Sequence, residues 1–316
     1  MWRYREAIPI DNDSNIVSFN EGFTPILEFI IKGIPVLIKQ DHLFQTGSFK
    51  DRGASVLVSK IKELGIDYVI EDSSGNAGCA VSAYCAKAHI DCEIFVPQDI
   101  QESKLKQIKS YGAKVNKVSE SREKAAESVL KYVQDQYYAS HCWNPFFFQG
   151  TKTLAYEICE QLGWKAPDSI VLPVGNGSLL LGVFIGFNDL LKAGIIKKIP
   201  KIIAVQSKNC APLYIAFKNK LDNVFPISKL NTIAEGISIS NPVRGKQIIE
   251  AVKISKGDFI AVSENKIKTS LKEMYKKGFY IEPTSAVAIA GLKEYLHQLS
   301  KSELIVSVFT GHGLKK

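Results

Sequence analysis

One lysine lies where the surrounding residues could change its chemistry. Lys50 falls within QTGSFKDRG at positions 45–53, and apolar residues recur at helical spacing over 54–64. Ser48 and Asp51 predict a helix N-cap with an acidic partner, which puts Lys50 in the first turn. The positive end of the helix dipole lowers an amine pKa, so this position suits a lysine that must lose its proton. A solvated helix lysine is the alternative that the local sequence leaves open.

Three turns rich in glycine, serine and asparagine follow predicted strands. They lie at 73–78 (SSGNAG), 175–178 (GNGS) and 310–313 (TGHG). Ligands bind beyond the carboxyl ends of parallel strands, and a helix N-terminus binds anions through its N–H groups. The first turn is equally typical of an ordinary strand-to-helix connection.

The GNGS turn differs from a dinucleotide-binding turn in two respects. Its third glycine, Gly182, comes too late, and the next predicted strand ends in Gln206-Ser207 with no acid for a ribose. It also lacks the Gly-Lys-Ser/Thr of a nucleotide P-loop. The turn therefore predicts a cradle for a single phosphate group. Together with a lysine at a helix start, it favours pyridoxal 5'-phosphate, which carries a phosphate and an aldehyde that can form a lysine Schiff base.

Predicted strands and helices alternate along the chain, which is typical of α/β proteins with parallel sheets. We expect two open-sheet α/β lobes with a cofactor cleft between them. The predicted strands are 35–39, 68–70, 93–96, 113–118, 169–174, 201–205 and 303–309. One predicted helix starts at residue 48, and the others cover 77–88, 101–111, 121–136, 178–193 and 284–298.

Composition excludes several classes of protein. The chain has 316 residues and a formal charge of +8, but the basic residues are mostly dispersed lysines, so we expect anionic small molecules rather than nucleic acid as ligands. No apolar run is long enough for a membrane span, and the start lacks a secretory signal, so a cytoplasmic location is expected. The six cysteines form no Cys-x-x-Cys pair, which predicts reduced, buried thiols and no metal site.

Five motifs follow one another along the chain. They are GSFKDRG (47–53), SSGNAG (73–78), GNGS (175–178), EPTSAVAIAGL (282–292) and FTGHGLK (309–315). In this order they resemble the motifs of the fold type II, tryptophan synthase β-like pyridoxal-phosphate enzymes, and most closely those of the threonine synthases. The similarity extends over nearly the whole chain. It implies a large cofactor-binding lobe of 1–43 and 146–316, a smaller mobile lobe of 44–145, and a homodimer.

The resemblance implies roles for individual residues. Lys50 would hold the cofactor aldehyde and move protons, Phe49 would pack against the pyridine ring, and Asn76 would bond its hydroxyl. Thr310 would face the ring nitrogen and leave it largely unprotonated. The residues that would bind the cofactor phosphate are Gly175, Asn176, Gly177, Ser178 and Leu179, and those near the substrate would be Ser73, Ser74, Ala77 and Asn144.

Threonine synthases convert O-phospho-L-homoserine and water to L-threonine and phosphate, and the resemblance implies this reaction here. Two residues depart from the family pattern. Phe147 stands where an arginine for the substrate phosphate is expected, and Ala77 stands where threonine is common. Loss of such a charge-assisted contact should weaken substrate binding by roughly 2–4 kcal/mol, unless Arg244, Lys152 or another cation substitutes.

Other functions stay open. Aromatic residues at 143 and 146–148 would suit a less polar substrate or simple core packing, and Glu235-Gly236 is more typical of dehydratases. The alternative is therefore a serine/threonine dehydratase or another β-elimination or β-replacement enzyme on a small amino acid, although His312-Gly313 favours a threonine synthase. A catalytically silent homologue that binds an amino acid or a partner protein is a third possibility, and Lys50 argues against it.

Three histidines are candidates for helpers in catalysis. They are His42, His141 and His312, and a structural role is favoured for His42.

Overall fold

The computed structural model describes residues 1–118, 129–131, 136–299 and 303–315. Contacts divide the chain into two compact units. Unit 1 comprises Met1–Gly22, Phe44–Thr151 and Lys315–Lys316, and unit 2 comprises Phe23–Leu43 and Lys152–Leu314. Each unit contains a sheet and helices, so the predicted α/β class is confirmed. Among the described helices, none is long and apolar enough to cross a membrane.

The elements alternate along most of the chain. The strands are β1 (Ile26–Ile31), β2 (Ile34–Lys39), β3 (Tyr68–Glu71), β4 (Asp91–Pro97), β5 (Lys114–Val118), β6 (Tyr137–Tyr138), β7 (Ser169–Pro173), β8 (Lys201–Ser207), β9 (Asp258–Val262) and β10 (Ile305–Val308). The described α-helices are α1 (Lys50–Glu63), α2 (Asn76–Ala88), α3 (Glu102–Ser110), α4 (Pro145–Thr151), α5 (Thr153–Gln161), α6 (Ser178–Lys192), α7 (Pro212–Lys218), α8 (Gly245–Ile254), α9 (Glu264–Lys276) and α10 (Pro283–Leu296).

Unit 1 contains a parallel sheet in the order β5-β4-β3-β6. Its core joins Leu57 and Ile61 of α1 to Val69 of β3 and Ile94 of β4, and all four side chains are fully buried. Because β3 ends at Glu71 and α2 begins at Asn76, the predicted ligand turn 73–78 lies at the carboxyl end of an inner strand.

Unit 2 contains a sheet in the order β1-β2-β10-β7-β8-β9, in which β1 and β2 are antiparallel and the other pairs are parallel. The fully buried Lys39 Nζ on β2 lies 2.9 Å from Glu157 Oε2 on α5, so this pair of charges is compensated inside the core. Strands β7 and β10 are neighbours. The turns that follow them, 175–178 and 310–313, therefore lie along one edge of the same sheet.

Most predicted elements occur within a few residues of their predicted bounds. The sequence did not predict the β1 strand, the short β6 and β9 strands, or the helices α4, α5, α7, α8 and α9. The predicted helix 121–136 lies mainly outside the described residues. The lobe boundaries inferred from the resemblance stay a prediction, and the contacts group residues 1–22 with 44–151.

Candidate active site

Lys50 lies in the first turn of helix α1, as the sequence predicts, and is its first residue, but the cap of this helix differs from the prediction. Ser48 does not cap it: its Oγ is buried and has no hydrogen-bond partner among the residues that the structure describes. The Asp51 carboxylate instead accepts hydrogen bonds from the N–H of Thr46, at 2.9 Å, and from the Thr46 hydroxyl. The acid in the first turn thus fixes the loop before the helix, whereas the sequence predicted that the Ser48 hydroxyl would cap the helix.

Asp51 is fully buried beneath this turn, and burial raises the pKa of its carboxyl group to about 7. The hydrogen bonds from Thr46 and the positive charge of Lys315 act in the opposite direction. Lys315 Nζ donates to the Thr46 carbonyl and, at 2.8 Å, to Gln107 Oε1. The loop before Lys50 is therefore held by a buried polar network rather than by the helix cap alone.

Aromatic rings surround the Lys50 side chain. Its Nζ lies 4.8 Å from the ring centroid of Phe49 and 5.6 Å from that of Phe147. Phe147 is fully buried and packs on α1, since a Cβ added to Gly53 would lie 2.3 Å from its Cε1. The ring at position 147 is therefore part of the core beside the lysine, and this residue supplies no charge to a substrate phosphate.

The 73–78 turn holds its backbone tightly. Ser73 is buried, and its Oγ accepts a hydrogen bond from the Gly75 N–H at 3.2 Å. A Cβ on Gly78 would lie 2.0 Å from the Ser73 carbonyl oxygen, so glycine is required at that close approach. Ala77 is buried, whereas Ser74 and Asn76 are half-buried at the start of α2. This turn presents a helix N-terminus with polar groups, a suitable site for a carboxylate.

A second polar cluster lies at the end of β3, and sequence reasoning missed most of it. The fully buried Glu71 carboxylate lies 2.7 Å from His141 Nδ1, and His141 Nε2 lies 3.1 Å from Cys142 Sγ. Burial, with the neighbouring charge of Asp72, raises the pKa of Glu71 well above its usual value, and the charge of Lys50 lowers it. The His141 ring packs edge-on against Phe147 at 6.0 Å. The cluster therefore lies on the same side of unit 1 as Lys50.

Asn144 stands at the end of the loop that carries His141. Its side-chain amide donates to the Tyr137 hydroxyl at 2.8 Å, and its Oδ1 accepts the N–H of Phe146 at 3.0 Å. These contacts start helix α4. The predicted contact of Asn144 with the substrate stays a prediction.

In unit 2, the 175–179 turn is built from backbone. Gly177 has φ +79°, and a Cβ there would lie 2.4 Å from Ile248 Cδ1. A Cβ on Gly175 would lie 3.0 Å from the Ile237 Cα. No side chain of the described residues caps the start of the fifteen-residue helix α6, and its first turn holds no acid. The N–H groups that begin α6 thus suit a phosphate.

Two further predicted residues of unit 2, Thr310 and His312, lie beyond β10. Thr310 is buried, its N–H donates to Ser285 Oγ at 2.9 Å, and the two side-chain oxygens are 3.1 Å apart. His312 stacks on His42 with ring centroids 5.7 Å apart. Burial, followed by the charge of His312, lowers the pKa of His42 to about 4, so His42 stays neutral near neutral pH. Ser285 is thus a positioning residue for Thr310 that the sequence did not single out.

These features fit pyridoxal phosphate. The glycines at 175 and 177 pack closely on neighbouring isoleucines, and no side chain of the described residues caps the N–H groups that begin α6. Ser48 Oγ, a buried hydroxyl two residues from Lys50, has no hydrogen-bond partner among the described residues. The missed residues are Glu71, Ser285 and Cys142. Glu71 and Ser285 contact partners distant in sequence, and Cys142 contacts His141, whose other partner is Glu71. The only local indication was the polar pair Glu71-Asp72 at a strand end.

Comparison with known proteins gives independent findings. A family model described as "Pyridoxal-phosphate dependent enzyme" matches residues 17–311. The threonine synthase of Methanocaldococcus jannaschii is 36% identical over 325 residues, which cover 100% of this chain and 80% of that protein. The threonine synthase of Methanosarcina acetivorans is 32% identical with the same coverage. The solved structure of maize serine racemase superposes with a TM-score of 0.82 at 22% identity, covering 98% of this chain and 92% of that one.

Proposed function

The chain belongs to the family of pyridoxal-phosphate dependent enzymes, and on that premise we propose that it is a threonine synthase. It converts O-phospho-L-homoserine and water to L-threonine and phosphate, as a pyridoxal-phosphate dependent lyase. The observation that carries this proposal is the 36% identity to a protein named threonine synthase over the full length of this chain.

Pyridoxal phosphate, when bound, withdraws electrons from the α-carbon of an amino acid and so acidifies the protons of the substrate. Lys50 is proposed to hold the cofactor aldehyde and, once displaced by the substrate amine, to carry protons to and from the substrate carbons. Its place at the start of α1 favours the neutral amine that this task needs. Phe49 and Phe147 lie beside its half-buried side chain.

The remaining roles are assigned to the three turns. The N–H groups that begin α6, at Ser178 and Leu179 behind the glycines 175 and 177, are proposed to bind the cofactor phosphate. The Thr310 hydroxyl, fixed by Ser285, is proposed to face the ring nitrogen. Ser73, Ser74 and Ala77, with the N–H groups at the start of α2, are proposed to bind the substrate carboxylate, and Asn76 the ring hydroxyl.

The test is incubation of the purified holoenzyme with O-phospho-L-homoserine, followed by quantification of phosphate and threonine. Equal amounts of the two products are expected. Phosphate release without threonine, or no release at all, contradicts the proposal. Parallel incubations with L-serine, L-threonine and O-acetylserine test the dehydratase and β-replacement alternatives, for which ammonia with a 2-oxo acid, or acetate, would be the products.

One observation favours keeping those alternatives in the assay. Phe147, buried on Gly53, replaces the arginine expected for the substrate phosphate. Of the proposed substitutes, Lys152 Nζ already pairs with Asp189 at 3.0 Å, and Arg244 donates to Gln247 at 3.0 Å. If either binds the substrate phosphate, its replacement by alanine will raise the KM for phosphohomoserine.

Two further features are part of the proposal. All six cysteines are buried and none of them forms a disulfide, which supports a reducing compartment such as the cytoplasm. A homodimer is proposed from the family resemblance. Size-exclusion chromatography with light scattering will measure the mass of the protein in solution.

A further inference from the structure

The cluster at the end of β3 has the donor set of a cation site. One ligand atom from each of Glu71, Asp72 and His141 lies within 4.8 Å of the others. Two are carboxylates and one is an imidazole, a combination that divalent transition metals accept. Nothing in the proposed reaction uses these three groups together.

Glu71 supplies the second, independent observation. The residue is fully buried, one of its carboxylate oxygens faces His141, and Oε2 has no hydrogen-bond partner among the described residues. A buried carboxylate oxygen without a donor is costly, and a second carboxylate next to it, on Asp72, adds repulsion. A cation bound by both would relieve both costs.

The surroundings orient the three donors as outer-shell groups orient metal ligands. Cys142 Sγ lies 3.1 Å from His141 Nε2, which leaves Nδ1 facing the carboxylate. The Tyr138 hydroxyl donates to Asp72 Oδ1 at 2.7 Å. These two contacts orient the His141 ring and the Asp72 carboxylate.

We propose that Glu71, Asp72 and His141 bind one divalent transition-metal ion in the unit that carries Lys50. The ion adds positive charge to a part of unit 1 where Phe147 supplies none. The site is independent of the proposed reaction, so a measurement of metal binding alone tests it.

The test is titration of the reduced holoenzyme with Mn²⁺, with free Mn²⁺ measured by electron paramagnetic resonance. The unsubstituted protein is expected to bind one equivalent. His141→Ala and Glu71→Gln should each weaken binding by at least ~10-fold, since even outer-shell substitutions cost that much. Matched changes at exposed residues, His297→Ala and Glu102→Gln, should leave the affinity unchanged. Equal binding by wild type and His141→Ala would overturn the proposal.

A second measurement does not depend on whether the variants fold. Crystals of the unsubstituted holoenzyme soaked in MnCl₂ should show an anomalous peak bounded by Glu71, Asp72 and His141. Peaks only at other positions, or none, would also overturn it. Loss of threonine formation with Mn²⁺ binding intact would contradict the proposed function and leave this site standing.

Discussion

The turns before Lys50 and before Ser178 each lead into a helix through a glycine with a positive φ, but the two turns differ in their chemistry. Gly47 and Gly177 both have φ +79°. The first turn presents a charged side chain and is held by buried polar groups, the Asp51 carboxylate and the Thr46 hydroxyl and N–H. The second presents only N–H groups and rests on apolar neighbours such as Ile248.

The difference shows what each task demands. A lysine that must change its protonation needs neighbours that fix its position, and those neighbours must themselves be satisfied inside the core. A phosphate needs several N–H groups at close range, which the main chain supplies once Cβ atoms are absent. The first turn should therefore be sensitive to changes of charge, and the second to changes of volume.

The largest expected effect is at Lys50 itself. Lys50→Ala should abolish covalent retention of the cofactor and lower kcat by at least ~10²–10⁴-fold, because the base that moves protons is lost. Lys62→Ala, on an exposed part of the same helix, is the control. Visible absorbance after borohydride treatment and the rate of phosphate release measure both effects. Wild-type turnover by Lys50→Ala would mean that another group acts as the base.

The buried acid beneath Lys50 should make stability depend on pH. The folded pKa of Asp51, about 7, is above its unfolded value of 3.8, so the folded state is disfavoured as pH rises between these values. Relative to Asp51→Asn, the free energy of unfolding of the wild type should fall by up to about 4 kcal/mol from pH 4 to pH 8. Urea denaturation at both pH values measures it, with exposed Asp91→Asn as the control. A difference that does not change with pH would contradict the prediction.

The glycine cradle allows a matched test of volume. Gly177→Ala and Gly194→Ala both place alanine at a positive φ, which should cost ~1–2 kcal/mol of stability in Gly194→Ala and at least as much in Gly177→Ala. Only Gly177 has a neighbour that a Cβ would strike, whereas Gly194 has none within 4 Å. Cofactor affinity, measured by fluorescence titration of the apoenzyme, should therefore fall only in Gly177→Ala. Equal losses in both variants would show that the cradle does not bind the phosphate.

The smallest effect is expected at the Ser178 side chain. If the main chain binds the phosphate, Ser178→Ala removes at most one hydrogen bond, worth ~0.5–1.5 kcal/mol, and cofactor affinity falls about tenfold or less. The same titration measures it. If Ser178→Ala lost more cofactor affinity than Gly177→Ala, the contrast between the two turns would be wrong, because a side chain would then dominate the chemistry of both.

The parts that could be predicted from the sequence were those encoded locally. The 175–178 turn, the helix start at Ser178 and the place of Lys50 all depend on residues within a few positions of each other. The cap was predicted wrongly because a Ser-x-x-Asp pattern does not reveal that Asp51 bonds Thr46 across the turn. The β1–β2 hairpin was missed because its turn is Lys32-Gly33, without the Asn-Gly typical of tight hairpins.

Contacts between distant segments could not be predicted. Glu71 and His141 are 70 positions apart, and Ser285 and Thr310 are 25 apart. No periodicity or spacing relates such pairs, because register between elements is set by packing of the whole sheet. The contact of Phe147 with Gly53 could not be predicted either, since the need for glycine near the start of α1 is explained only by the ring that packs on it.

The contact of Lys315 with Thr46 has a consequence for synthesis of the enzyme. The two residues are 269 positions apart. At ~5–20 residues per second, the ribosome adds Lys315 about 10–50 seconds after Thr46. Until then the loop that precedes Lys50 lacks a cation over its carbonyl and near its buried acid. A nascent chain therefore carries Lys50 and its motif well before the contacts that fix the loop in front of it can form.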